Sequence, residues 1–487
     1  MKKLLYTIGA LSILTISGCS KVLQENPNGQ LIGENAITTV SGLQSALLGA
    51  YQPLKNGYTS GFASSAVVAV VMGADDLTTH PASNKQEFRE MDQFSVTSTN
   101  TRISTIWLGC YKTIQNVNNI LDVYKKINGD TSKINQIVGE AYFLRAFSYF
   151  WLVRLWGNVP LITTADYNTE LLSVNKSTPA DIYKLIESDL QQAERLMPNA
   201  KAAPGRANAG SAKALLAEVY LTEGGYPVKD ASKYALAAAK AKEVIDNKSK
   251  YNFDLNPDLA DLWSGIPKPN GTVEDVFTLQ FSATGNANSI YGKSCMPGDD
   301  AGWDDYFAEI TFFNNFPAGK RKDITFYTKF KNGTLDWTNS ATKHPYFSKF
   351  RVNTPTPGYL TSATSMSMPL IRYANVLLTY AEAQARANTS AGSDAYAAVN
   401  EVRRRAGLPD MTISLSANVF ADSVVQERAW EFAGEYTRWF DLVRLEKVEE
   451  ANSHKDVNDL KPLGTITKAN YWLPIPYMET QLNPNLK

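Results

Sequence analysis

Small alanines alternate with large tyrosines and leucines at helical spacing in two pairs of neighbouring segments, and this pattern restricts the fold most. One pair is 209–223, with Ala212-Lys213-Ala214-Leu215-Leu216-Ala217, followed by the run from Tyr234-Ala235 to Val244-Ile245. The other is 372–388, with Tyr380-Ala381-Glu382-Ala383, followed by Ala395-Tyr396-Ala397-Ala398-Val399. Alanine lets two helix backbones approach, and the aromatic ring fills the gap beside it. Such segments pack as antiparallel helix pairs of the tetratricopeptide type. The match to the strict repeat consensus is loose, and ordinary helix hairpins would show the same spacing.

Helical periodicity also begins at Val40-Ser41, where Leu43, Ala46, Leu47 and Ala50 form one stripe. It recurs over 104–125 and, most strongly apolar, over 134–156, which Gly157-Asn158-Val159-Pro160 ends. Further helices fit 179–196, 207–223, 231–247, 370–388, 393–406 and 418–445. Residues 250–365 differ, being rich in Asn, Gly, Pro, Thr and aromatics. Short β-like runs stand there at 276–281 and 324–327. The expected fold class is mainly α: tetratricopeptide-like helix pairs in a superhelix, with a large loop-rich insertion carrying short β segments. Long loops of this kind carry function or are disordered, and the aromatic content argues for function.

The N-terminus gives an address. Lys2 and Lys3 precede an apolar run from Leu4 to Ile16, then Ser17-Gly18-Cys19. This is a secretory leader, too short for the ~20 apolar residues of a membrane span. A cysteine directly after two small residues fits a bacterial lipobox, whose thiol carries a diacylglycerol. Stable anchoring takes more than one acyl chain, which a multiply acylated cysteine supplies. The expected organisation is a leader over 1–18, a polar tether over 19–40 and one domain over 41–487, with the insertion at about 250–365.

Lys plus Arg equals Asp plus Glu at 48 each, and loss of the leader leaves about −2. Binding to a nucleic-acid backbone would need a basic surface, which this balance does not supply. Cys110 and Cys295 could pair in an oxidising compartment; Cys110 lies in an apolar helical stretch, which favours two buried thiols. The 24 Tyr and 9 Trp supply flat faces for core packing and for stacking on ligands.

Residues 287–294, Ala-Asn-Ser-Ile-Tyr-Gly-Lys-Ser, fit a relaxed phosphate-loop pattern, but Pro297-Gly298 follows where a helix N-terminus is needed. His80, His344 and His454 are scattered and form no metal pair at helical spacing. Asp75-Asp76, Asp299-Asp300 and Asp304-Asp305 could serve glycoside hydrolysis only if two carboxyls faced each other across a cleft. Loop solvation or hydrogen bonding to a polar ligand suits sequence neighbours better. Across 426–444, Glu427, Arg428, Glu431, Glu435, Arg438, Asp441 and Arg444 interleave with Trp430, Phe432, Trp439, Phe440 and Leu442. This reads as an amphipathic helix tied to its neighbours by partly buried ion pairs, with a charged pocket as the alternative.

Several separate stretches together resemble the SusD/RagB family of outer-membrane lipoproteins. They include Ser41-Gly42-Leu43 through Tyr51, Trp107 through Tyr111 with Asn116 and Asn119, Glu140 through Ala146, and Trp156 through Pro160. Arg372, Tyr380 through Ala383, Asn400 through Gly407, Glu427-Arg428, Arg438 through Arg444, Leu473 through Pro476 and Asn483 through Leu486 continue the series. The resemblance implies a helical core with an irregular face that carries the ligand site. It implies capture of oligosaccharides, or sometimes peptides, at the cell surface, beneath which sits a TonB-dependent transporter barrel of the SusC type. It implies no catalysis and no cofactor. Surface-displayed relatives carry acidic residues soon after the cysteine, whereas Ser20-Lys21-Val22-Leu23-Gln24-Glu25 here is not clearly acidic.

Ligand candidates come from chemistry. Sugar rings stack C–H faces on aromatic planes, and hydroxyls bond to Asp, Asn and Arg. Trp303, flanked by Asp300, Asp304 and Asp305, offers both, with Tyr291 nearby in sequence. Asp75, Asp76 and Asn100 stand on early loops that the family fold brings to the same face. Peptide binding on the same scaffold, a surface glycoside hydrolase and a scaffold without ligand are the competing functions.

Cys19→Ala is expected to release the protein from the membrane. Fractionation of cells without the partner transporter checks this, and a variant that still sediments with the outer membrane would overturn the anchor.

Overall fold

Thr39 accepts the Gly42 N–H and caps the first helix, α1 (Val40–Lys55), whose Leu43, Leu47, Ala50 and Leu54 form one buried face. The computed structural model describes residues 37–487 apart from 57–59, 167, 264–267, 269, 283–288, 290, 352–364 and 413, and apart from the side chains of Ser83 and Tyr291. Cys19, the leader and the tether as far as residue 36 lie outside the described residues. Short polar side chains start the next helices by the same device. Asn100 caps α2 (Thr101–Val123), Asp130 caps α3 (Thr131–Trp156) and Thr178 caps α4 (Pro179–Leu196). Asn208 and Ser211 form a reciprocal capping box on α5 (Ala209–Glu223). Each such cap is worth ~1 kcal/mol.

Each helix from α1 to α5 packs on the one that follows, and α5 packs on α6 (Lys233–Asp246). Gly139 shows how closely α3 and α4 meet, since a Cβ there would stand 2.6 Å from the Met197 side chain. The chain then leaves the helical stack and returns as α7 (Tyr373–Ala387), which packs on α6, on α8 (Gly392–Arg405) and on α9 (Ala417–Glu431). The architecture is mainly α, built from antiparallel helix pairs.

Short strands punctuate the excursion. They are β1 (Leu77–Thr78), from the early loop, then β2 (Asp275–Leu279), β3 (Phe307–Ala308), β4 (Phe326–Tyr327), β5 (Lys329–Phe330), β6 (Leu335–Asp336), β7 (Tyr346–Phe347) and β8 (Met368–Arg372). All pair antiparallel: β1 with β3 (Leu77 opposite Ala308), β2 with β8 (Leu279 opposite Met368), β4 with β7 and β5 with β6. The β1–β3 pair lays the early loop directly on the insertion.

Two helix expectations are corrected. Residues 370–372 belong to β8, and α7 starts only after the Tyr373 N–H reaches the Glu274 carbonyl at 2.9 Å. The helix expected over 418–445 breaks into α9 and α10 (Arg438–Arg444). Gly434 at φ +75° and Tyr436 at φ +68° are left-handed, which a helix cannot accommodate. Gly434 also has no room for a side chain, because a Cβ would meet the Phe347 ring at 2.8 Å. Cys110 and Cys295 are both buried free thiols and do not pair.

The break turns Glu435 inward beside Glu431 and creates a buried charge cluster. Glu431 accepts from Arg321 at 3.1 Å, Arg372 at 3.0 Å and Arg405 at 2.5 Å. Glu435 pairs with Lys349 at 2.6 Å and Arg372 at 2.8 Å. Glu274 meets Arg372 and Arg405, and Glu427 meets Arg321 and Arg403. The ion pairs are therefore more deeply buried than the sequence suggested. Burial works to raise the Glu431 carboxyl, but Arg405, Arg372, Arg321 and Lys349 outweigh it and hold the group well below the usual range.

Glu431→Ala is expected to cost ~3–5 kcal/mol, because it leaves buried cations uncompensated. Urea denaturation measures this against Glu243→Ala, whose carboxylate is exposed and whose ion pairs are worth under ~1 kcal/mol. Equal losses in the two variants would contradict the role given to the cluster.

Candidate functional site

The loop after a short helix, Tyr291–Ser294, folds back on that helix and presents one indole ring. The Trp303 N–H donates to the Lys293 carbonyl at 3.0 Å, Asp304 N–H to Met296 at 3.2 Å and Asp305 N–H to Ser294 at 3.1 Å. Ala301 and Asp304 take φ of +61° and +51° to make the turn. At Gly302 a Cβ would stand 2.0 Å from the Met296 carbonyl, so only glycine fits.

The acids around Trp303 brace this loop. Asp300 accepts from the Tyr327 hydroxyl at 2.7 Å and from the Lys331 N–H at 2.9 Å. Asp304 accepts from the Gly298 N–H and the Tyr346 hydroxyl, both at 2.5 Å. Asp305 pairs with Lys85 at 2.5 Å. Burial, then Asp304, push the Tyr346 phenol far up, so it remains a donor. Beneath lies a small separate cluster of Phe307, Phe330 and Tyr346, with Tyr327, Leu335 and Trp337 packed against it. Trp303 itself stays 37% exposed. The result is an aromatic face on a rigid support.

The other candidates fall elsewhere. Asp75 is clamped by Arg438 through two bonds of 2.6 and 2.8 Å. Asp76 is 1% exposed, and its carboxylate accepts the Gly434 N–H at 2.9 Å. Its second oxygen has no partner among the described residues, and burial pushes the group up to about 7. Asn100 caps α2 and donates to the Glu87 carbonyl at 3.0 Å and the Glu90 carboxylate at 2.8 Å. Asp76 and Asn100 are thus occupied inside the fold and do not join the Trp303 surface. The Tyr291 side chain lies outside the described residues, although its helix touches the Trp303 loop. Sequence reasoning missed the supports Lys85, Tyr327 and Tyr346, which sit in separate stretches and carry no motif.

A larger cleft of about 400 Å³ is lined by Met91, Phe94, Trp439, Trp472 and Pro474. Its rings are already engaged: Trp439 packs on Phe94, and Trp472 stacks on Tyr226 at 5.8 Å. Among the described residues no three His, Cys, Asp or Glu side chains could hold a metal ion. His80 accepts the Ala82 N–H, and His344 bonds to Asp459 at 3.0 Å. No helix among the described residues is long and apolar enough to cross a membrane.

Comparison with known proteins gives a consistent result. A model of the SusD family matches residues 320–487, and a model described as starch-binding, associating with outer membrane, matches residues 31–221. A SusD-like protein of Formosa agariphila is 28% identical across 100% of this chain and 99% of its own length. The crystal structure of a SusD superfamily protein from Parabacteroides distasonis matches with a TM-score of 0.77 at 27% identity, covering 91% of this chain and 98% of that one. A laminarin-binding SusD-like protein matches with a TM-score of 0.75 at 26% identity, covering 92% and 98%.

Asp76→Asn tests the cost of burying that carboxyl. A group with a raised folded pKa gives stability that is full below its unfolded value near 4 and is lost as pH rises through about 7. Asparagine keeps an acceptor for Gly434 and cannot ionise. The variant should match the native protein near pH 4 and exceed it above pH 7 by up to about 4 kcal/mol, at ~1.4 kcal/mol per pKa unit. Unfolding measured across that range checks it; a difference that does not change with pH would contradict it.

Proposed function

We propose that this chain, which belongs to the SusD/RagB family, is a glycan-binding protein of the outer membrane that takes an oligosaccharide on the Trp303 face. It passes the glycan to a partner TonB-dependent transporter and performs no chemistry on it. The observation that carries this reading is an exposed indole on a loop whose carboxylates are spent holding it still. A preset ring loses little freedom on binding, so more of the stacking energy appears as affinity. A sugar ring offers the flat C–H face that such a plane takes.

Further support is coarser. The laminarin-binding relative makes laminarin oligosaccharides the first probes. The family description supports association with the outer membrane, and Cys19 supports lipid attachment there. Asp300, Asp304 and Asp305 all have internal partners, which weighs against a pair of catalytic carboxyls across this face. Peptides enter the test as the competing ligand class.

Calorimetric titration against laminarin oligosaccharides, other oligosaccharides and peptides identifies the ligand. Trp303→Ala should then weaken binding about tenfold or more, from a stacking contribution of ~1–3 kcal/mol. The melting temperature should hardly change, whereas truncating a core tryptophan costs ~3–5 kcal/mol. Unchanged affinity with a large loss of stability would remove Trp303 from the site.

A further inference from the structure

A second cavity, of about 220 Å³, lies between the short helix Ile310–Asn315, the end of α9 and the turn at His454. Its walls are fixed to one another. The Thr311 hydroxyl donates to the His454 carbonyl at 3.0 Å, and Ile310 N–H reaches the Asp459 carboxylate. Trp430 and Gln426 stand one helical turn apart on α9, so both face the same side. Trp430 is half-buried, and its ring stacks on no other ring among the described residues. The side chains of Asn315, Gln426 and His454 line the cavity and make no hydrogen bond to other described residues. This is an aromatic plane surrounded by unspent donors and acceptors.

Charge selects the occupant. Two carboxylates reach the cavity: Asp75 is paired with Arg438 at 2.6 Å, and Glu309 shares Lys455 (2.5 Å) with Asp92 (2.7 Å), burial holding its carboxyl well above the usual range. A cation finds one carboxylate already paired and one that burial keeps from ionising, and an anion finds no Lys or Arg among the described lining residues. A neutral ring with many hydroxyls matches amides, an imidazole and an indole face. The volume is below the ~300–1,000 Å³ of drug-sized sites, which restricts the occupant to one ring.

We infer that this cavity is a second saccharide subsite, holding one neutral sugar unit stacked on Trp430 and hydrogen-bonded by Gln426, Asn315 and His454. The ligand class rests on the glycan reading above, whereas the cavity and its free side chains do not. Glycan contact is thereby divided between the Trp303 face, with a braced ring, and a one-ring pocket that reads hydroxyls.

The test uses the mature chain labelled with 5-fluorotryptophan. Trp430→Phe and Trp303→Phe assign the two fluorine resonances among those of the nine tryptophans. The probes are laminarihexaose, methyl glucoside and butylammonium chloride. The Trp430 resonance is expected to move saturably with a sugar and not with the amine. Gln426→Ala should weaken that response about fivefold, the loss of one hydrogen bond of ~1 kcal/mol. Trp303→Phe should leave the methyl glucoside response at Trp430 unchanged. A Trp430 resonance unmoved by both sugars, or moved by the amine alone, overturns the subsite. If Trp430 responds while the Trp303 resonance stays still, the subsite stands and the Trp303 reading fails.

Discussion

Arg372 meeting Glu274, Glu431 and Glu435 at once is the contact on which the rest of the molecule depends. Those carboxylates come from the start of β2, the end of α9 and the turn beyond it, and Arg372 itself joins β8 to α7. Desolvating so many charges is costly, and the cost is offset because Arg372 and Arg405 each meet the carboxylates of two or more glutamates. The partly exposed Arg403 sits at the edge of the cluster, where water can share its charge. The cluster holds the irregular excursion against the helical stack, so the surfaces at Trp303 and Trp430 inherit their position from it. Arg321 belongs to the segment immediately after the Ile310–Asn315 helix, and Lys349 follows β7 beneath the Trp303 loop.

The two surfaces use polar side chains in opposite ways. Around Trp303 the acids are consumed by hydroxyls, amides and one lysine, and only the ring remains outward. At Trp430 one carboxylate is paired and burial keeps the other from ionising, while amides and an imidazole make no hydrogen bond to other described residues. The first arrangement suits contact that tolerates variation along a polymer, because every sugar ring has an apolar face. The second suits discrimination, because an unmatched hydroxyl leaves a polar group without a partner.

The helices were legible because their signals are local. Asn100, Asp130, Thr178 and Asn208 stand before apolar stripes, and Gly157 stands after one. The exposure of Trp303 was also legible, from the acids on both sides. The break at Gly434 was not, because its left-handed turn is fixed by Asp76 and Phe347, which are remote in sequence. For the same reason the roles of Asp75 and Asp76 could not be read: a short acid in a loop looks the same whether it meets a ligand or a distant guanidinium. Asn100 is different, since an asparagine directly before a helical stripe is a cap signal that could have withdrawn it from the candidates. The polar side chains of the Trp430 cavity, Asn315, Gln426 and His454, come from three separate stretches and carry no motif.

The segment 73–92 is joined to 434–455 by Gly73 with Asn452, Asp75 with Arg438, Asp76 with Gly434, and Asp92 with Lys455. Asp76 and Gly434 are 358 positions apart. A growing chain therefore exposes its early loop long before the residues that complete it exist. Loops of that size close slowly, so the segment between α1 and α2 gains these contacts late, whereas α1 to α6 pair with their sequence neighbours. Synthesis and closure are thereby ordered at this one place: a segment made late is the one that locks the early loop.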